Sequence, residues 1–294
     1  MQETRPAAFA ALQSDHHEKP TGAGELSRLG PARAIAGVEL LYGRYRRFSF
    51  ARHFHSVTAI GVVETGVMRT CHHNSYHCAP AGTVILLNPG DVHAPQSGNG
   101  SAWSFRMLYL DDALLRGLSR RSGSHRPLWF ATPLVENPAL YSELLSLHRS
   151  LETEPDALAV ESRLVSVLEQ IAKYSQWMGN RDVRPAARVK MHCVRDYLHA
   201  YAGEAVTLRT LSELADLSPW HLLRSFRAQF GLTPHAYQVQ ERVERGRRLL
   251  ASGVPIADAA VMSGFVDQSH FTRQFKRFTG VTPGRYSARA AIAH

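Results

Sequence analysis

Cysteine is scarce in this chain. Its 294 residues hold three, Cys71, Cys78 and Cys193, an odd number that implies no obligatory disulfide framework. That excludes the small stapled scaffolds of secreted proteins and fits a reducing, cytoplasmic setting. Long apolar runs are missing too, since nothing approaches the ~20 consecutive residues that a membrane-crossing helix needs. The first 31 residues have no apolar h-region, and Asp15, Glu18, Lys19 and Glu25 are scattered through them, so they do not read as a secretory signal. Residues 1–35 are expected to form a flexible arm. The last shortage is of acid, and it is uneven. Residues 1–180 carry 17 Lys and Arg against 16 Asp and Glu, whereas residues 181–294 carry 17 against 9. Nearly all of the net charge of +9 therefore sits in the C-terminal part, as expected of a domain that meets phosphates.

What that basic part contains is a repeat. His221 matches His270, Arg224 matches Arg273, Phe226 matches Phe275, and Gly231 matches Gly280. Thr233, Pro234 and Tyr237 match Thr282, Pro283 and Tyr286, all at a constant offset of 49. Each copy carries the punctuation of two helices and a turn. Thr207 offers a cap to a short helix 208–215, and Ser218 caps a second helix 219–230 with Pro219 at its first position. In the other copy 256–263 is followed by Gly264-Phe265 and by Asp267, the cap of a helix 268–278. This is the pattern of a helix-turn-helix, present twice. Between the copies Pro234 opens a linking helix that runs to about Leu250.

A linking helix of about 16 residues is roughly 24 Å long. With the width of the flanking units it separates the two second helices by about one turn of B-DNA, ~34 Å. One chain would then enter two successive major grooves of double-stranded DNA, at tandem half-sites one helical turn apart. Candidate DNA-binding residues in the first unit are Trp220, His221, Leu223, Arg224 and Arg227. In the second they are Gln268, Ser269, His270, Thr272, Arg273 and Lys276. Arg224 and Arg273 suit bidentate contact to guanine and Gln268 suits adenine. Trp220 either touches a thymine methyl or sugar face, or packs partly buried.

Residues 189–288 resemble the DNA-binding domain of the AraC/XylS family of bacterial transcription regulators. The resemblance rests on Ile256-Ala257-Asp258-Ala259-Ala260, Gly264-Phe265, Asp267-Gln268-Ser269-His270-Phe271, Arg273, Phe275-Lys276, Gly280-Val281, Pro283 and Tyr286. It implies base contacts at Trp220, Leu223 and Arg224 and at Gln268, Ser269 and Arg273. Leu223 departs from the polar residue often found there and would read a methyl group or little at all.

The neutral part alternates apolar and polar residues in short runs with Gly and Pro between them, which predicts strands. They are expected at 38–41, 47–53, 57–64, 68–72, 84–87 and 103–110. His53-x-His55, Gly82, Pro89-Gly90 and His93 resemble a cupin barrel, so residues 36–135 are expected to be a β-barrel sensor domain. Three histidines invite a metal. Metal-binding cupins, however, place a Glu four or five residues after the second His, where this chain has Ser56 to Ile60; Glu64 lies further on. No metal and no cofactor are therefore expected, and His53, His55, His93, Trp103 and Arg106 are candidates for an effector pocket. Strand alternation sends Trp103 and Arg106 to opposite faces unless a bulge intervenes. Cys71-His72-His73-Asn74-Ser75-Tyr76-His77-Cys78 reads as a strand-turn-strand tip around 73–75 rather than a metal or redox sensor. Residues 136–179 form amphipathic helices, with Leu140, Leu144, Leu147 and Leu151 and then Leu164, Val167, Leu168, Ile171 and Trp177. Those serve as a cover for the barrel or as a dimer seam, and the resemblance favours dimerisation. Residues 180–188 read as the linker.

The expected fold class is thus α+β: a cupin-like barrel with covering or dimerising helices, then an all-α domain of two helix-turn-helix units. The expected function is a nucleoid-associated transcription regulator, an activator or repressor that answers to a small molecule and works as a homodimer, with RNA polymerase a possible partner. No membrane contact and no catalytic residue are expected. The rivals are a ligand-independent activator whose barrel only oligomerises, and a metal-dependent cupin enzyme.

Overall fold

The computed structural model describes residues 25–72, 75–121, 128–153, 156–175 and 186–293. Most of the expected arm, the 73–74 turn tip, Trp177 and most of the expected linker lie outside these. Among the described residues no helix is long and apolar enough to cross a membrane.

The N-terminal part is built from strands β1 (Leu26–Pro31), β2 (Val38–Tyr45), β3 (Thr58–Thr65), β4 (Val67–His72), β5 (Ser75–Pro80), β6 (Thr83–Leu87), β7 (Gln96–Ser97), β8 (Trp103–Leu110) and β9 (Leu134–Glu136), with α1 (Asp112–Arg121) after β8. Six form one antiparallel sheet in the order β1-β2-β8-β3-β6-β9, and β5-β4-β7 form a second. Along β8 the alternation decides which face meets what. Trp103, Phe105, Met107 and Tyr109 enter the interior between the sheets, while Leu108 and Leu110 face the covering helices.

Two expectations fail here. Residues 26–31 are not arm but an edge strand, with Leu29 opposite Leu41 of β2. Residues 47–53 are not a strand. The Glu25 carboxylate accepts the backbone N–H groups of Arg46, Arg47 and Phe48 at 2.9, 2.6 and 3.0 Å, which takes the donors a ladder would use. Only His53 regains a pairing, an isolated bridge to His93.

Helices α2 (Pro138–Thr153) and α3 (Ala157–Ala172) lie over the outer face of the large sheet. Leu140, Leu144, Leu147 and Leu151 of α2, with Val160, Leu164, Val167, Leu168 and Ile171 of α3, are all buried there. The leucine spacing is thus spent on covering the barrel within one chain.

Among the described residues the C-terminal part has seven helices: α4 (Ala186–Ala200), α5 (Leu208–Ala215), α6 (Pro219–Phe230), α7 (Pro234–Ala251), α8 (Ile256–Met262), α9 (Gln268–Thr279) and α10 (Pro283–Ala293). The sequence repeat extends to the capping chemistry. Ser218 and Asp267 each accept from the backbone N–H three residues on, a cap that contributes ~1 kcal/mol. Both α6 and α9 run 12 residues and stop at a glycine, Gly231 at φ 72° and Gly280 at φ 77°, a left-handed turn that favours glycine. Thr233 and Thr282 then cap the next helix in each copy. The first helix and the turn of each copy differ. Thr207 caps α5 with its side chain whereas Pro255 before α8 makes no such bond, and Asp216 takes the left-handed conformation in the first turn as Gly264 does in the second.

The cores do not respect the expected domain boundary. Leu29, Leu41, Tyr45, Phe50 and the interior residues of β8 form one cluster with Val239, Val243, Phe271, Phe275, Phe278 and Tyr286. The first helix-turn-helix has its own core, and Phe54 and Val92 of the β part belong to it.

Candidate DNA-binding face and effector cavity

In α6, Leu222 and Phe226 turn inward with no measurable exposure. That 3.6-residue geometry leaves Trp220, His221, Leu223, Arg224 and Arg227 on the exposed face. Trp220 is 61% exposed and carries the Arg224 guanidinium over its ring at 5.3 Å. The pair forms one platform with a cationic edge. In α9, Phe271 and Phe275 are buried, and Gln268, Ser269 and Arg273 are exposed. Thr272, His270 and Lys276 are half-buried, His270 against the Phe265 ring at 5.3 Å and Lys276 within electrostatic reach of Glu25. Lys276 is therefore shared between the two parts of the chain. Val266, outside the expected contact set, is 90% exposed two residues before α9.

Between the sheets is a narrow cavity lined by Leu41, Phe50, Met68, Ile85, Phe105, Met107 and Tyr109 among others, with His53, His55 and His93 as its polar wall. The three histidines meet at one point. The rings of His53 and His93 are 4.2 Å apart, and His55 is 5.0 Å from each. Their register comes from the backbone, because His53 and His93 exchange N–H···O bonds of 2.9 and 2.8 Å. His53 Nδ1 lies 2.7 Å from the Ala51 carbonyl and His93 Nδ1 2.9 Å from that of Asp91. A carbonyl only accepts, so each Nδ1 carries the proton and each Nε2 keeps a free lone pair. Burial, then the neighbouring imidazoles, push His53 and His55 well below the usual histidine range. Burial takes His93 down to about 4. All three are neutral at physiological pH.

The other two expected pocket residues stand elsewhere. Trp103 is fully buried, stacked on Phe105 at 4.9 Å, and does not line the cavity. Arg106 points through the opposite face of β8, as strand alternation requires. There it donates to Glu64 at 3.2 Å and Glu152 at 3.0 Å, lies 4.4 Å over the Tyr42 ring and donates to His148 Nδ1 at 3.2 Å. Glu64, the first carboxylate after His55 in the sequence, is taken up by Arg106 and Arg149.

A second set of residues, invisible to motif reading, ties the cavity to the helices. Gln240 of α7 accepts from the Phe54 backbone N–H at 3.1 Å and donates back to the Phe54 carbonyl, and Phe54 stacks on Tyr237 at 4.8 Å. Arg247 of α7 donates to Glu39 of β2 at 2.7 Å and to Glu244 at 2.8 Å, while the Tyr286 hydroxyl donates to Glu39. Burial opposes the Arg247 charge, but Glu244 and Glu39 outweigh it and hold the guanidinium protonated. Glu244, Arg247 and Gln240 line a smaller space against His53, His55 and Tyr109.

Residues 35–168 match the model of an AraC-like ligand binding domain, and residues 211–289 match that of a helix-turn-helix domain. The chain is 35% identical to the HTH-type transcriptional regulator YbfI of Bacillus subtilis over 225 residues, 75% of this chain and 81% of that one. It is 25% identical to the arabinose operon regulatory protein of Salmonella typhimurium over 72% of this chain and 76% of the relative. Among solved structures it is similar in fold to ToxT of Vibrio cholerae, at a TM-score of 0.54 and 14% identity, over 86% of this chain and 98% of that one.

Proposed function

The chain belongs to the AraC family of transcription regulators, and from that premise we propose how its site residues divide the work. Helices α6 and α9 enter successive major grooves on one side of a duplex. Arg224, Arg273 and Gln268 read base edges, Ser269 and His221 position the helices on the backbone, and Trp220 and Leu223 meet thymine methyl groups. The observation that carries this reading is the pair of 12-residue helices with the same capping and with the matched arginines Arg224 and Arg273 both exposed. They are joined by the 18-residue α7, roughly 27 Å long at about 1.5 Å per residue.

The effector is a small, mainly apolar molecule held between the sheets, with one hydrogen-bonding group met by the neutral histidines. A free carboxylate suits the cavity poorly, because no Lys or Arg is among its described lining residues and Arg247 of the adjoining space already serves Glu39 and Glu244. Met68 and Met107 on the wall give way easily to an incoming ligand. Occupancy is felt by α7 through Gln240 and Arg247, and a coupling of about 1–3 kcal/mol suffices for a switch. A homodimer formed through the outer faces of α2 and α3, and contact with RNA polymerase, complete the scheme.

Selection of duplexes from a random pool by the full chain tests the reading. The enriched sequence is expected to contain two short conserved blocks about one helical turn apart. Arg273→Ala is expected to lose preference at one position in one block, by about 1–3 kcal/mol. Uniform weakening on every sequence would make Arg273 a phosphate contact, and no enrichment at all would remove the reading.

A further inference from the structure

We propose that His53, His55 and His93 bind a divalent first-row transition-metal ion of the zinc type, and that its occupancy is coupled to the DNA-binding half through the grip of Gln240 on Phe54. The site stands on its own geometry; the coupling rests on the DNA-binding reading above.

One ligating nitrogen from each histidine lies within 4.8 Å of the others. Tetrahedral zinc with Zn–N bonds of about 2.0–2.1 Å sets its nitrogens about 3.3 Å apart, so the rings need to close by at most about 1.5 Å. Two of them are already oriented as ligands are. The carbonyls of Ala51 and Asp91 hold the Nδ1 protons of His53 and His93, the outer partnership that fixes tautomer and ring direction in metal-binding histidines. The Nε2 atoms of His53 and His93 keep their lone pairs on a wall that is otherwise mainly apolar, and His55 brings a third imidazole to the same point.

The donor set also selects the ion. Three imidazoles with neither carboxylate nor thiolate exclude calcium and magnesium and suit zinc, cobalt, nickel or copper. Arg247, which lines the smaller space together with Glu244, is paired with both Glu244 and Glu39, and these two carboxylates against one guanidinium offset part of the added charge. The fourth position opens on the cavity, where water or an oxygen of the effector completes the tetrahedron.

The coupling follows from where the ligands are anchored. Phe54 stands between two of them, and both of its backbone hydrogen-bonding groups are held by Gln240. Drawing His53 and His55 together moves the segment that α7 holds, and α7 spaces the two groove-entering helices.

The test uses the untagged full chain, stripped with a chelator and titrated with Zn²⁺ against a competing chelator. One zinc per chain is expected, at about 1 μM or tighter. His55→Ala is expected to bind at least about 100-fold more weakly, while Cys71→Ser with Cys78→Ser leaves affinity unchanged. Because a histidine change can disturb the core, Co²⁺ on the wild-type chain reports the donors independently: ligand-field bands of a four-coordinate site without sulfur charge transfer support the proposal. A thiolate band, undiminished binding in His55→Ala, or no binding below about 100 μM would overturn it. For the coupling, the Kd for the selected duplex is expected to shift at least about fivefold with one equivalent of zinc. In Gln240→Leu the zinc affinity should survive and the shift should vanish. An unchanged Kd in the wild type overturns the coupling and leaves the site. Absence of duplex binding with zinc still held overturns the coupling together with the DNA-binding reading, and a thermal shift by apolar ligands without zinc binding overturns the metal site alone.

Discussion

Replacing Glu39 by alanine removes the acceptor on which β2 and the C-terminal helices converge. Glu39 takes hydrogen bonds from Arg247 at 2.7 Å and from the Tyr286 hydroxyl, and the Arg247 and Glu39 side chains are 12% and 22% exposed. Breaking one side of a buried pair costs about 3–5 kcal/mol, mostly because the remaining charge is left without its partner. Glu244 stays with Arg247 at 2.8 Å and Glu39 is partly wet, so the lower end applies, about 3 kcal/mol. Urea unfolding followed by tryptophan fluorescence and far-ultraviolet circular dichroism measures the loss. A double-mutant cycle with Arg247→Met isolates the pair, with an expected coupling of about 2 kcal/mol, within the usual range for residues in one ionic network. A coupling below about 0.5 kcal/mol would refute the reasoning, since the contact would then be a solvated surface pair with no part in fixing the helices to the sheet.

Acid sensitivity is expected at His148, which is 1% exposed and which burial, then Arg106, pushes down to about 3. Its folded value lies below its unfolded one of ~6.5, so its neutral form stabilises fully above that pH and loses stability as pH falls below it. Between pH 7 and 5 the wild type should lose about 2 kcal/mol more than His148→Gln in urea midpoints; parallel losses would dismiss the burial argument. Gly280→Ala places a Cβ against the Tyr45 hydroxyl at a positive φ, whereas Gly253→Ala meets the same strain in open space. The first should cost clearly more than the ~1 kcal/mol expected of the second, and equal costs would remove Gly280 from the contact between the two parts. Asp267→Ala deletes the 2.7 Å cap on the His270 N–H and should lower stability by ~1 kcal/mol while raising the operator Kd a few-fold; an unchanged melting temperature would show the cap to be replaced by water.

Local chemistry was legible in the sequence. Thr207, Ser218 and Asp267 announce helix starts, the matched Gly231 and Gly280 mark stops, and the buried leucines of α2 follow their own spacing, because each signal acts within a few residues. Alternation along β8 foretold that Trp103 and Arg106 face opposite ways but not which face meets the cavity, and neither of the two candidates lines it. The edge strand β1 was not legible, since its partner β2 is set by chain return rather than by composition. Nor was the loss of ladder pairing at 47–53, which depends on one carboxylate, Glu25, reaching back more than 20 residues. The attachment of cavity to helices was hidden for the same reason: Phe54 to Gln240 and Glu39 to Arg247 join positions 186 and 208 residues apart. Single polar residues carry those contacts, and no periodicity marks them.

Helical phasing of the operator asks most directly whether one chain reads two grooves at once. With the selected duplex in hand, five base pairs are inserted between its two conserved blocks, turning one block to the opposite side of the helix. Because α7 is a single continuous helix, α6 and α9 cannot follow, and the Kd is expected to rise at least about tenfold, the loss of one set of base contacts. Binding of equal strength before and after the insertion would contradict the account.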